Sequence, residues 1–310
     1  MGASRRVTLN DVAAASGVSR ATVSFVLNDD PRQSISAATR DRVKQAARDL
    51  GYVPHGVARA LREGASRVVV LNIDSGMEGA YSRSYIRGLD AELALHDHVL
   101  LVRHGRHTPK STQQVLDAIA PRAVIRFGEN YLTGRALEDI GGGWRDGLAA
   151  HAALQLGHLT GHGHTHVAVA LPDTESPLAA TRLRLTADAA KNLGVPEPAS
   201  FVAPREPAAC AEAVAAFLAA APEVTGIAGF NDDVALRVLS ALRDLGRAVP
   251  DDIAVIGFDD NGYGAYCVPS LTTVNVDGET HGRLSARLAL GHDAGDLRPP
   301  RARVVVRQSA

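Results

Sequence analysis

At 310 residues, with 45% apolar and only 4% aromatic side chains, the chain is longer than one small domain and can bury a large core. Its charge of −1 is unevenly divided: residues 1–64 carry ten Lys and Arg against six Asp and Glu, a net of +4, leaving −5 on the rest. Two cysteines, Cys210 and Cys267, exclude a disulfide framework and show no zinc spacing. No apolar run approaches membrane-spanning length and residues 1–8 lack a signal-peptide core, so a cytoplasmic chain without membrane contact is expected.

Residues 8–28 read as two short helices joined by a tight turn. Thr8 can cap the first, with Asp11 three residues on, and Val12, Ala13 and Ala15 form its small apolar face. Gly17 supplies the turn, where a residue without Cβ takes positive φ cheaply. Ser19 caps the second helix, whose Thr22, Val23, Val26 and Leu27 recur at helical spacing. Such a pair is a helix-turn-helix, the second helix being the one that enters a major groove. Ser36 caps a third helix running to about Leu50, Gly51 ends it, and Tyr52-Val53-Pro54 forces an extended link. Residues 55–61 are helical in pattern but too short to be stable alone.

From residue 67 the pattern changes to apolar strands alternating with amphipathic helices. Strands are expected at 67–72, 99–102, 123–127, 167–170, 227–230, 253–260 and 303–306. Helices are expected at 85–95, 115–119, 182–193, 211–220 and 233–245. Unbroken apolar strands between helices imply parallel sheets covered on both faces.

Four linked segments carry a family resemblance: T-L-N-D-V-A (8–13), G-V-S-R-A-T-V-S-F-V-L-N (17–28), S-A-A-T-R-D-R-V-K-Q-A-A-R-D-L-G-Y-V-P (36–54) and V-A-R-A-L (57–61). Their order and spacing resemble the DNA-binding headpiece of the LacI/GalR family of bacterial transcription regulators. The body continues it with H-L-T-G-H-G-H-T-H-V-A (158–168), R-L-R-L-T-A (182–187), F-N-D-D-V-A-L (230–236), V-P-D-D-I-A-V-I-G-F-D-D (249–260) and P-S-L-T-T-V (269–274). The resemblance implies an all-α helix-turn-helix headpiece followed by an α/β periplasmic-binding-protein-like body of two parallel-sheet lobes with a cleft. The domains are then 1–54 for the headpiece, 55–64 for a hinge helix, and 65–310 for effector binding and dimerisation. Within the body, the first lobe is expected at 66–162 plus 275–298, the second at 165–272 plus the last strand. One stretch departs: residues 136–150 stand where a Val-rich strand is expected, so the first lobe's rim is expected to be shortened or remodelled.

On the reading helix the resemblance assigns base contacts to Arg20, Ala21 and Phe25. Arginine pairs bidentately with guanine, alanine touches a thymine methyl, and Phe25, where the family often carries a longer polar or cationic residue, offers only apolar contact. Thr8, Ser19, Thr22, Ser24 and Asn28 are candidates for phosphate contacts, which set register without reading sequence. Ala58 and Leu61 belong to the hinge, where the family's leucine wedges between base steps in the minor groove. In the cleft the resemblance points to Arg184, Asn231 and Asp259 as effector contacts, with Tyr81 placed to stack on the ligand and Ser82 replacing a neighbouring aromatic. Phe230 and Trp144 are read as core.

The histidines at 158, 162, 164 and 166 raise a metal-sensor alternative, but Gly161 and Gly163 break the element and no carboxylate or cysteine sits beside them, so no metal is expected. No catalytic motif occurs, so neither enzymatic activity nor a cofactor is expected. The resulting expectation is a repressor that binds a pseudo-palindromic double-stranded operator as a homodimer, modulated by a small-molecule effector. A sugar suits the family, while Arg184 with Asp259 also suits a purine or nucleoside. Two alternatives stay open: a small-molecule-binding protein with a vestigial head, and a DNA-binding regulator that has lost effector response.

Overall fold

The structure is a computed structural model describing residues 7–27, 34–52, 66–74, 77, 79–105, 108–127, 143–174, 177–298 and 302–310, with the backbone alone at 143–150 and 177. The chain divides into two units, Met1–Ser66 and Arg67–Ala310. The expectations for Asn28, Ala58, Leu61 and the hinge helix fall outside the described residues, as do those for 128–142 and the Trp144 side chain.

The first unit holds α1 (Leu9–Ser16), α2 (Arg20–Leu27) and α3 (Ala37–Asp49). At the start of α1 the Thr8 backbone N–H and hydroxyl both donate to Asp11 Oδ2, at 2.8 and 2.7 Å. Gly17 ends α1 at φ 66°, its N–H returning to the Ala13 carbonyl at 3.0 Å. Val12, Val23, Val26 and Val43, all fully buried, join the three helices into one small core. Arg42 Nε donates to the Ser16 carbonyl at 2.9 Å, tying α3 to the end of α1.

The second unit runs β1 (Val68–Ile73), α4 (Ala80–Leu95), β2 (Val99–His104), α5 (Pro109–Ile119), β3 (Ala123–Phe127) and α6 (Gly143–Gly161). It continues with β4 (Val167–Pro172), α7 (Pro177–Leu193), β5 (Ala199–Ala203), α8 (Pro207–Ala220), β6 (Gly226–Gly229) and α9 (Asp232–Asp244). The last elements are β7 (Ala254–Phe258), β8 (Thr272–Asn275), α10 (Gly278–Leu290) and β9 (Arg303–Val305). The first sheet has the order β2-β1-β3, the second β5-β4-β6-β7-β8-β9. Every pairing is parallel except β8–β9, where Val274 faces Val304 in antiparallel register, so the second sheet is mixed rather than wholly parallel. A short antiparallel edge strand on an otherwise parallel sheet is common in α/β folds.

In the first lobe Val69, Leu71 and Ile73 pack on Tyr85, Leu89 and Leu93 of α4 and on Ala286 and Leu290 of α10. The two helices touch backbone to backbone: a Cβ at Gly88 would collide with the Glu279 carbonyl, and one at Gly282 with the Tyr85 carbonyl. Between them lies buried Glu92, with Arg287 Nε at 2.6 Å and Arg283 Nη1 at 3.5 Å. Burial alone would push the Glu92 carboxyl up, but Arg287 and Arg283 hold it below the ordinary glutamate value.

One boundary is corrected. Residues 143–161 were expected in the first lobe, yet α6 buries Leu156 and Leu159 against Val167, Ala228, Ile256 and Val274 of the second. Ala152, Leu156 and Leu159 form the buried apolar stripe of this helix. Residues 143–150, read as the site of a missing strand, open this helix instead.

Candidate functional site

In the first unit the Thr22 N–H donates to Ser19 Oγ at 3.1 Å, so Ser19 caps α2. Val23 and Val26 are fully buried and fix one face of the helix to the core. The opposite face presents Arg20 and Ala21 to solvent, with Ser24 and Phe25 half-buried beside them. Thr8 and Ser19 are exposed at the starts of α1 and α2, and Thr22 is half-buried. Phe25 stands outside the valine core that holds the three helices together. A capped helix N-terminus with exposed hydroxyls and an arginine is suited to phosphate and base-edge contacts.

The second site lies in the second unit, where the carboxyl ends of β6 and β7 meet α6 and α7 of the same lobe and α4 of the other. Phe258 ends β7, and Asp259 and Asp260 follow at φ 92° and 48°. Two consecutive non-glycine residues in the left-handed region are strained, and such strain persists where the surroundings hold a side chain in a required direction. Asp259 Oδ2 faces the start of α4: a Cβ at Gly79 would lie 3.4 Å from it. Although Asp259 retains some accessible surface, burial pushes its carboxyl up to about 7, with Arg182 pulling it down and Asp232 and Asp233 pushing it further up.

Arg182, only 3% exposed, places its guanidinium 3.9 Å from the centre of the Phe258 ring and 5.7 Å from that of Phe230. Its Nη2 donates to Gln155 Oε1 at 2.8 Å. Gln155 Nε2 in turn donates to the Gly229 carbonyl at 3.0 Å and the Gly257 carbonyl at 2.8 Å, one on each central strand. The His151 ring lies 5.2 Å from Phe258. Burial, followed by the charges of Arg182 and His281, depresses His151 to about 3, so it is neutral. From the first lobe, the Tyr81 hydroxyl pairs with His281 Nδ1 at 2.8 Å, and its ring lies 6.0 Å from that of Phe127. Asp232, also buried, accepts from Thr273 Oγ1 and from the Asn261 N–H; burial raises it to about 6.

The structure thus brings Tyr81 and Asp259 to one cleft, and of the two arginines in the motif only one is buried. Arg184 is on the outer face of α7, 61% exposed and 3.6 Å from Asp188, while Arg182 faces inward. Residues two apart on a helix point to nearly opposite sides. Arg182, Thr186, Ala189 and Ala190 form the buried stripe of α7, which excludes Arg184. Asn231 caps α9, accepting from the Val234 N–H at 2.9 Å, so its amide nitrogen is the part suited to donate to a ligand. Phe230 is buried in the second-lobe core, and Ser82 Oγ accepts from the Gly79 N–H at 2.9 Å at the start of α4. Gln155, His151 and His281 had no distinguishing signal, since their role depends on which helix faces which sheet.

In the histidine run, His158 and His162 have ring centres 4.4 Å apart, and His164 Nδ1 pairs with Thr225 Oγ1 at 3.1 Å. Among the described residues no three His, Cys, Asp or Glu side chains gather as a metal would require, and no helix is long and apolar enough to cross a membrane.

Residues 8–55 match the family described as bacterial regulatory proteins, lacI family, and residues 156–310 match the periplasmic binding protein-like domain. The chain is 27% identical to the HTH-type transcriptional regulator AscG of Escherichia coli K12, over 95% of this chain and 94% of that one. The lac repressor dimer bound to operator and the anti-inducer ONPF is similar in structure, with TM-score 0.78 and 22% identity, covering 98% of this chain and 99% of that one. The transcriptional regulator CelR–cellobiose complex superposes with TM-score 0.59 at 22% identity, over 98% of this chain and 100% of that one.

Proposed function

Because the chain belongs to the LacI family of DNA-binding transcriptional regulators, and not to a class of enzymes, we propose that it is a cytoplasmic repressor that binds a pseudo-palindromic operator as a homodimer. A small sugar-like molecule in the inter-lobe cleft changes its operator affinity. The observation that carries this reading is α2: one face is anchored by Val23 and Val26, and the other offers Arg20 and Ala21, with Phe25 half-buried alongside. Arg20 supplies a bidentate fork for guanine, Ala21 and Phe25 supply apolar contact, and Thr8, Ser19, Thr22 and Ser24 supply hydroxyls for phosphates. Asn28, Ala58 and Leu61 extend this surface by the family resemblance.

The net of +4 on residues 1–64 supports phosphate contact by that unit. Two-fold protein symmetry asks for two-fold DNA. In the cleft, Asp259, Asn231 and Tyr81 are the effector contacts, and the cellobiose bound to CelR supports a sugar. Linkage requires an effector to change operator affinity by the factor that operator changes the effector's own.

The test is selection of purified protein against random duplexes in moderate salt. A recovered palindrome is the expected result, and Arg20→Ala should weaken binding by about 1–3 kcal/mol and relax specificity at one position per half-site. Sequence-indifferent binding that vanishes with salt would overturn the reading.

A further inference from the structure

We infer that Phe25 makes operator recognition depend on a pyrimidine C5-methyl group, so that each half-site carries a thymine close to the guanine read by Arg20. The inference rests on α2 being the reading helix, as proposed above. Ala21 and Phe25 are four residues apart on α2 and are therefore neighbours on its surface. A helical phenylalanine points back over the turn before its own Cα, which directs the Phe25 ring toward Ala21. Ala21 is exposed and too small to fill that space. Phe25 is half-buried, yet it belongs neither to the core of Val12, Val23, Val26 and Val43 nor to the apolar residues packed on that core. The two side chains form one apolar strip on the open face of the helix, immediately beyond Arg20.

The chemistry of the strip selects what it touches. In the major groove guanine presents two acceptors, adenine an acceptor and an amine, cytosine an amine, and thymine an acceptor and the C5-methyl. A phenyl ring set against an amine or a carbonyl strips water from a polar group and returns no hydrogen bond. The C5-methyl is the base-edge group that gains from the contact, through apolar surface buried on both sides. The net of +4 on residues 1–64 gives this unit the charge complementarity to the phosphates that brings the strip to the groove. Arg20 and Phe25 are separated by about 7.5 Å of helix, close to two base steps, which sets the distance from guanine to thymine. Cytosine and uracil lack the methyl and 5-methylcytosine carries it, so the group read is the methyl itself.

The test uses the full chain and the operator recovered by the selection described above. Each thymine near the guanine is replaced in turn by 2′-deoxyuridine, in both half-sites. At one position the loss of a buried methyl should weaken binding by about fourfold per half-site, or about fifteenfold for a dimer. There, 5-methylcytosine paired with guanine should bind more tightly than cytosine by a similar factor. Phe25→Leu, which keeps an apolar side chain, should retain the difference between thymine and deoxyuridine. Phe25→Gln should bind the two equally while still requiring the guanine, and that retained requirement verifies its fold; if it is lost, Phe25→Ala takes its place.

A palindrome with no thymine within about two base steps of the guanine, or one in which deoxyuridine costs nothing, overturns the inference and leaves α2 as the reading helix. A deoxyuridine loss as large in Phe25→Gln as in the wild type gives the methyl to another residue and overturns the role of Phe25. Failure to recover any palindrome overturns the reading of α2, and this inference with it.

Discussion

Burial pushes the Asp259 carboxyl up to about 7, well above its ordinary 3.8, while the backbone that carries it sits at φ 92°. Both features cost stability, and both point the side chain into the cleft. A carboxyl that holds its proton more tightly when folded stabilises the fold only in acid. Below about 3.8 it is protonated in both states, the penalty grows as pH rises toward about 7, and above that it is paid in full. Asp259→Asn should therefore melt higher than the wild type near pH 8, by a margin that shrinks toward zero near pH 4. Thermal melts across that range measure it, and a margin constant with pH would refute the account. The same variant should lose its response to effector while still binding operator, the pattern of a residue kept for function at a cost in stability.

At the scale of elements, the pair α4 and α10 is the tightest contact in the first lobe because Gly88 and Gly282 let the two backbones meet. A methyl at position 282 would also strike the Leu89 nitrogen, at 2.6 Å, so no rotamer change can relieve it. Gly282→Ala should destabilise the body by about 1–3 kcal/mol, read from the urea midpoint at unchanged slope. An unchanged midpoint would mean the helices part without cost. Since α4 carries Tyr81 and its N-terminus faces Asp259, separating these helices should also weaken effector binding.

Across the whole molecule, acid should act through His151 and Glu92. His151 is neutral in the fold, its value depressed by burial to about 3 from an ordinary 6.5. Its contribution is complete above about 6.5 and is lost as pH falls toward about 3. Glu92, held below its ordinary value by Arg287 and Arg283, adds a loss on the acid side of the glutamate range. Asp259 and Asp232, raised to about 7 and about 6, gain stability over the same fall in pH, so the His151 contribution is read against His151→Gln: the stability of the wild type relative to that variant should fall as pH drops below about 6.5. Chemical denaturation at a series of pH values tests this; an identical slope in the variant would remove His151 from the account.

Local chemistry alone made the helix-turn-helix legible. Thr8, Gly17, Ser19 and Ser36 are capping and turn residues whose effect reaches only a few neighbours, and the valines between them repeat at helical spacing. The parallel strands were legible for the same reason, since continuous apolar runs such as residues 68–71 and 253–256 need burial on both faces. What the tertiary structure decided depends on contacts between segments distant in the chain. Helix α6 packs on the second lobe's sheet rather than the first, and β9 pairs antiparallel at that sheet's edge. The network of Gln155, Arg182, Phe258 and Asp259 draws on three elements spread over more than a hundred residues. Neither of two arginines in one short motif is marked as the buried one by its chemistry; only the face of α7 that meets the sheet distinguishes Arg182 from Arg184.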